Sequence, residues 1–335
     1  RILKDLGHEP IVFGFAGVWG GMINVEGVPI LPGHFHPFGG DAIVPHAQHV
    51  GADIALTLID IWTYNQEEMR KCRWAPITPI DRSPMPEFVA VRLREAAWQP
   101  IAMSKFGLEE MRRAGVKNPA YAPHCLDTSV YRPGSRKESR AWLRENAGWQ
   151  VGDDEFLCSM VAMNKGMAPT RKGFPWNVDA FRQLRLAHPE ASFRLYLHTH
   201  PQPPDGMNLP ELLERFGLRH PQDAFFAETY NYLLGFSPEY MAHAYRATNV
   251  LLHASMGEGF GLAGIEAQAC GTPIVTVKWS AQPELTWIGH STEPAEYEYD
   301  AQASWLAVPS TRNILAALED LYERREEDFA EGTKR

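Results

Sequence analysis

The run SMGEGFGLAGIEAQACGTPIVTVKWSAQP, residues 255–283, decides the fold. Its first part is a glycine-rich turn that carries Glu258 between Gly257, Gly259 and Gly261. An Ala-rich helical run holding Glu266 follows and stops at Gly271-Thr272-Pro273. The apolar stretch Ile274-Val275-Thr276-Val277 then reads as a buried parallel strand. Turn, helix and strand in that order are the unit of an α/β sheet. A glycine-rich loop lets backbone approach a ligand closely, and a helix start offers unpaired N–H groups to an anion. Glu266 sits about one turn into that helix, in Ile265-Glu266-Ala267-Gln268-Ala269, which is otherwise free of charge. A carboxylate in such surroundings is buried and needs a partner, and sugar hydroxyls are suitable ones. The competing reading, two solvated glutamates making surface contacts, fits that composition less well.

Outward from this run the chain alternates strand and helix. In the first half, strands are expected at 11–15, 52–59 (buried), 100–103 and 120–123, and helices at 43–49, 88–97 and 108–114. Segment 29–41 reads as a loop rich in Gly, Pro and His, and 73–86 as extended. Residues 2–8 read as the end of a helix capped by Gly7, so a strand, a loop and most of a helix are expected upstream of Arg1. In the second half, strands are expected at 156–162, 193–198, 250–253 and 274–277, and helices at 137–146, 176–187, 210–216, 238–245 and 313–327, the last followed by a charged tail. The expected architecture is α/β with two Rossmann-like domains, 1–133 and 134–335, the boundary falling near 132–136.

A second constellation, residues 164–173, reads NKGMAPTRKG and lies between a strand and a helix. Ligands of open α/β sheets bind at the carboxyl ends of strands, where such loops lie. Arg171 and Lys172 are suited to neutralise a diphosphate, Arg by its planar fork and Lys as a point charge. Alone, this is a solvated basic loop; beside the two glutamates in the same half, it is a phosphate site.

Composition closes off other classes. The net charge of −9 argues against a general nucleic-acid binder. Cys72, Cys125, Cys158 and Cys270 are scattered with no CxxC, which fits a reducing, cytoplasmic setting. No apolar run approaches a membrane helix. His34, His36, His46 and His49 cluster, as do His198 and His200, but no Cys or carboxylate accompanies them at a standard spacing, so no metal site is expected. His198 and His200 are expected to end a strand near a bound donor. Trp62, Tyr64, Trp74 and Trp98 are candidates for a sugar-stacking groove or for core packing, and Tyr230 and Tyr232 for flanking a nucleobase.

The chain resembles the retaining glycosyltransferases of GT-B fold known as group 1, or glycosyltransferase family 4. The motif Glu, seven residues, Glu is matched by Glu258 and Glu266. The AQACGTPIV continuation, the RKG loop, and the run Met241 to Val250 with Asn249 where the family more often has Asp also match. Ser104-Lys105-Phe106-Gly107 and Pro123-His124-Cys125-Leu126-Asp127-Thr128 resemble its SKFG and PHGVDT stretches. The resemblance implies two domains facing a cleft, an acceptor-binding one (1–133, its first strand and glycine-rich loop lying before Arg1) and a nucleotide-sugar-binding one (134–335). It implies hexose transfer from a nucleotide diphosphate sugar to an acceptor, with retention and without a metal or other cofactor. Arg171 and Lys172 would bind the diphosphate. Gly259, Phe260, Gly261 and Leu262 would line the donor, the last two through backbone contacts to phosphate and ribose. Glu266 would hold the ribose, and Glu258 would face the transferred sugar. Many members carry a His at the end of a first-domain strand; the equivalent place reads Leu58 to Trp62, which makes Asp60 its candidate replacement. A final helix that crosses back in the family is expected to be shortened after Glu327. The alternatives are a nucleotide-sugar epimerase or hydrolase of related fold, and a donor-binding protein without catalysis.

Overall fold

A computed structural model describes residues 2–166, 170–327 and 329. It divides into two compact units: Arg1–Ile80 with Pro84–Ala122, and Asp81–Ser83 with Pro123–Arg335. The change of unit at Ala122 falls before the expected 132–136, and three residues of the first half cluster with the second.

The first unit runs α1 (Ile2–Asp5), β1 (Val12–Gly14), β2 (Ile23–Val25), β3 (Val28–Pro32), α2 (Ile43–His49), β4 (Ala55–Leu58), a 3-10 turn (Ile61–Thr63), α3 (Gln66–Met69), β5 (Trp74–Thr78), α4 (Glu87–Glu95), β6 (Ile101–Ala102), α5 (Lys105–Arg113) and β7 (Ala120–Tyr121). Strands β4-β5-β6-β7 form a parallel sheet in chain order, and β1-β3-β2 a small mixed one. Two expectations are corrected. Residues 28–32 are a strand, not the start of a loop: Glu26 and Gly27 both take positive φ (49° and 76°), the geometry of a tight hairpin turn, and Asn24 Oδ1 accepts the Gly27 N–H at 2.9 Å. Pro29 and Pro32 signal a loop when read alone, while β3 is made a strand by pairing with β1, expected at 11–15, on one side and with the unexpected β2 on the other. The strand at 55–58 is not buried either. It lies at the sheet edge, with Leu56 57% and Leu58 58% exposed.

The unit's core gathers Ile43, Ile61, Met69, Trp74, Leu93 and Met111. Trp74 is wholly buried and donates its indole N–H to Thr57 Oγ1 at 2.9 Å, with Tyr64 edge-on at 5.9 Å. These two aromatics are core side chains, and Trp62 and Trp98 are exposed.

The second unit runs α6 (Arg136–Ala147), β8 (Phe156–Val161), α7 (Phe174–Ala187), β9 (Phe193–His198), α8 (Leu209–Arg215), β10 (Ala224–Phe226), α9 (Thr229–Leu234), α10 (Pro238–Ala247), β11 (Val250–Leu252), α11 (Leu262–Ala269), β12 (Ile274–Val277), β13 (Gly289–Thr292), β14 (Glu296–Tyr299), β15 (Trp305–Val308) and α12 (Thr311–Glu323). The end caps follow from sequence: Ser135 accepts the Glu138 N–H at 3.2 Å to start α6, and Gly148 in the left-handed region ends it. The expected charged tail begins within the described residues, but 328 and 330–335 lie outside them.

The main sheet has the order β10-β9-β8-β11-β12-β13, every pair parallel. Its strands β8 and β12 are largely apolar because both faces are covered. Phe174, Val178 and Phe181 of α7 pack with Ile314 and Leu318 of α12 in one cluster. Tyr240, Ala244 and Tyr245 of α10 pack with Leu143 of α6 and Ala267 in another. The order runs outward in both directions from β8 and β11, which makes the gap between them the topological switch point, where doubly wound sheets bind ligands. Among the described residues, no helix is long and apolar enough to cross a membrane.

Candidate active site

Two loops leave the carboxyl ends at this switch point: 162–173 after β8 and 253–261 after β11. The first holds Arg171 and Lys172; its residues 167–169 lie outside the described ones. It ends at Gly173, which starts α7 with φ 67°, and a Cβ there would stand 2.3 Å from the Ala254 carbonyl oxygen. Only glycine fits that contact, so the RKG glycine holds the basic loop against the loop after β11.

The second loop turns Glu258 inward. Glu258 is 5% exposed; its Oε1 accepts from Lys172 Nζ at 2.6 Å and from Ser255 Oγ at 2.8 Å. Arg171 Nη1 lies 3.8 Å from Oε2, and the same guanidinium donates to the Gly257 carbonyl. The Glu258 N–H is held by Ser280 Oγ at 2.8 Å. Burial by itself would raise the Glu258 pKa, but the charges of Lys172 and Arg171 outweigh it and hold the pKa at about 2. The expected basic pair and the first glutamate are thus one charge cluster.

Glycine 261 opens α11 with φ 98°, and no side chain caps that end. Gly259 and Phe260 are buried, Phe260 edge-on to His124 at 4.9 Å, and Leu262 is exposed. Glu266 accepts from the Tyr245 hydroxyl at 2.7 Å. Burial raises its pKa, while the Tyr245 and Tyr131 hydroxyls oppose that rise. The two glutamates of the motif therefore differ: one is fixed by cations, the other by phenols.

Sequence reading missed three participants. His253, at the end of β11, is buried with its Nε2 lacking a partner among the described residues, and burial lowers its pKa, keeping it neutral. Tyr245 reads in the sequence as a helix residue within the run Met241 to Val250, with no signal of its contact to Glu266. Asp81, from the first half of the chain, places Oδ2 3.1 Å from Arg171 Nη1. No local pattern flagged it, because its significance is a contact across ninety positions of sequence. Asp60, by contrast, belongs to the first unit, where its carbonyl accepts from Thr63 Oγ1 at 2.7 Å. His198 ends β9 as expected; its Nδ1 lies 2.7 Å from the Tyr196 hydroxyl, and burial lowers its pKa to about 4. His34 Nδ1 pairs with Asp41 Oδ2 at 2.9 Å, in the first unit.

Residues 160–321 match the family Glycosyl transferases group 1. D-inositol 3-phosphate glycosyltransferase of Geodermatophilus obscurus is 29% identical over 202 residues, 58% of this chain and 41% of that protein. The chain spans less than half the length of the curated relatives it matches. Among solved structures, sucrose-phosphate synthase from Thermosynechococcus elongatus superposes with a TM-score of 0.73 at 18% identity, over 99% of this chain and 84% of that one. Anabaena HepE in complex with UDP and glucose gives a TM-score of 0.63 at 16% identity, over 92% and 81%. The fold is α/β of GT-B type.

Proposed function

We propose that this chain, a group 1-like glycosyltransferase whose second unit carries the family's domain, moves a hexose from a nucleotide diphosphate sugar to an acceptor with retention at the anomeric carbon. The observation that carries this reading is the meeting of Arg171, Lys172, Glu258 and the uncapped start of α11 at the switch point of the second sheet. HepE, of similar fold, was solved with UDP and glucose, which supports a nucleotide-sugar donor.

In this reading the diphosphate lies against the first N–H groups of α11 with Arg171 beside it. As the glycosidic bond breaks, charge builds on the leaving phosphate, and fixed dipoles and cations stabilise it without reorganising. That positive charge does the work a divalent cation would do, so turnover is expected to continue in a chelator. The oxocarbenium-like sugar favours a nearby carboxylate, the role given to Glu258. Lys172 keeps Glu258 ionised for it. Glu266, tethered by Tyr245, accepts hydroxyls of the ribose. The departing phosphate takes the acceptor's proton on the face it has just left. Acceptor binding is assigned to the first unit, with Asp60 as its candidate polar group, and the site of action to the cytoplasm.

A donor screen for nucleoside diphosphate release tests this, with wild type and Glu266→Ala. Release that depends on an acceptor, and affinity for the donor lowered roughly tenfold or more by Glu266→Ala, are expected. Free sugar released at full rate without acceptor would replace the transferase reading by hydrolysis. Donor affinity untouched by Glu266→Ala would remove the ribose role.

A further inference from the structure

The charges around Arg171 do not stop at Glu258. Asp81 divides its two oxygens between two arginines: Oδ2 stands 3.1 Å from Arg171 Nη1, and Oδ1 accepts from Arg82 Nε at 2.9 Å. Arg82 in turn donates through Nη1 to Asp300 Oδ2. Asp300 follows β14, where its Oδ1 accepts the Gln302 N–H at 2.9 Å. An alternating series results: Asp300, Arg82, Asp81, Arg171, Glu258, Lys172. Its far end is shielded, with Arg82 only 12% exposed, so these pairs are screened less than surface ones.

Backbone contacts fix the same strap. The Trp305 N–H donates to the Ser83 carbonyl at 2.8 Å, joining the strap to β15. The Asp81 carbonyl packs on the Glu258 turn so closely that a Cβ at Gly257 would stand 2.2 Å from it. All of these residues belong to the second unit.

An arginine side chain left free has many rotamers to lose on binding a ligand, and a guanidinium already pinned loses fewer. We propose that Asp81, Arg82 and Asp300 are positioning residues for Arg171, so that the β14–β15 hairpin sets affinity for the diphosphate portion of the donor through a relay of ion pairs. This rests on the reading of Arg171 as a phosphate ligand given above. Asp81 holds the guanidinium at Nη1, the same nitrogen that faces Glu258, Arg82 holds Asp81, and Asp300 holds Arg82.

The test uses the full chain and titrates UDP and uridine by calorimetry against wild type, Arg171→Ala, Asp300→Asn, Asp300→Ala and the double variant Arg171→Ala/Asp300→Ala, with thermal melts to verify folding. Asp300→Ala is expected to weaken UDP roughly five- to tenfold and to leave uridine unchanged, Asp300→Asn to fall between, and Asp300→Ala to add nothing in the Arg171→Ala background. Equal weakening of UDP and uridine would overturn the inference, as would an undiminished effect of Asp300→Ala in the absence of Arg171. If Arg171→Ala weakens UDP while Asp300→Ala does not, the relay fails alone. If Arg171→Ala leaves UDP affinity unchanged, the phosphate reading fails, and the relay with it.

Discussion

Glu258 and Glu266 share one motif and titrate in opposite directions. Lys172 and Arg171 depress the first; burial raises the second. The sign for stability follows. Glu258 has a folded pKa near 2, below its ordinary 4.5, so its stabilising contribution is complete above about 4.5 and is lost as pH falls towards 2. Melting temperature is therefore expected to drop across that window in the wild type and to drop less steeply in Glu258→Gln; parallel profiles would refute the assignment. Glu266 acts the other way, because protonation relieves its burial, so its contribution grows as pH falls. Lys172→Ala leaves Glu258 buried with a more distant cation, and a loss of about 3 kcal/mol is expected in denaturant unfolding. A loss below about 1 kcal/mol would mean that water or Arg171 replaces the ammonium.

Elements differ in how openly they declare themselves. Strands β8, β9 and β12 are legible because buried parallel strands are mostly apolar, interrupted in β9 by Arg194, and α7, α10 and α12 because their apolar positions recur at helical spacing. Strand β10 is three residues at the sheet edge, and β14 reads Glu-Tyr-Glu-Tyr with every residue exposed, so neither offers a periodic apolar face. The start of β11 shows how one side chain fixes an element. Asn249 Oδ1 accepts from the Leu157 N–H at 2.9 Å and from Arg140 Nη2 at 2.8 Å. Arg140 is buried, its pKa lowered by burial to about 10, and its other partners are the carbonyls of Ala247, Gly152 and Asp153. Asn249→Asp keeps both acceptor contacts and brings a charge opposite Arg140. A melting temperature higher by about 2–4 °C is expected, equivalent to roughly 1 kcal/mol in a unit of this size. A lower value would show that desolvating the new carboxylate outweighs the pairing.

At the scale of the molecule, two units with separate cores are expected to unfold in separable steps. The residues proposed to hold the donor, among them Arg171, Lys172, Glu258 and Glu266, belong to the second. Scanning calorimetry with UDP at about a hundred times its Kd is expected to stabilise the second unit's transition by about 2.7 kcal/mol and to leave the other in place. Equal movement of both transitions would contradict confinement of the site to one unit. By itself the sequence determined the α/β class, the strands of the second sheet's centre and the basic and acidic loops, because periodicity, glycine placement and local charge are properties of neighbouring residues. Only the tertiary structure decided that Lys172 holds Glu258, that Tyr245 holds Glu266, that Asp81 reaches Arg171 and that Asp300 reaches Arg82. Those pairings join residues distant along the chain, and a contact energy exists only once the sheet order has brought its partners within reach.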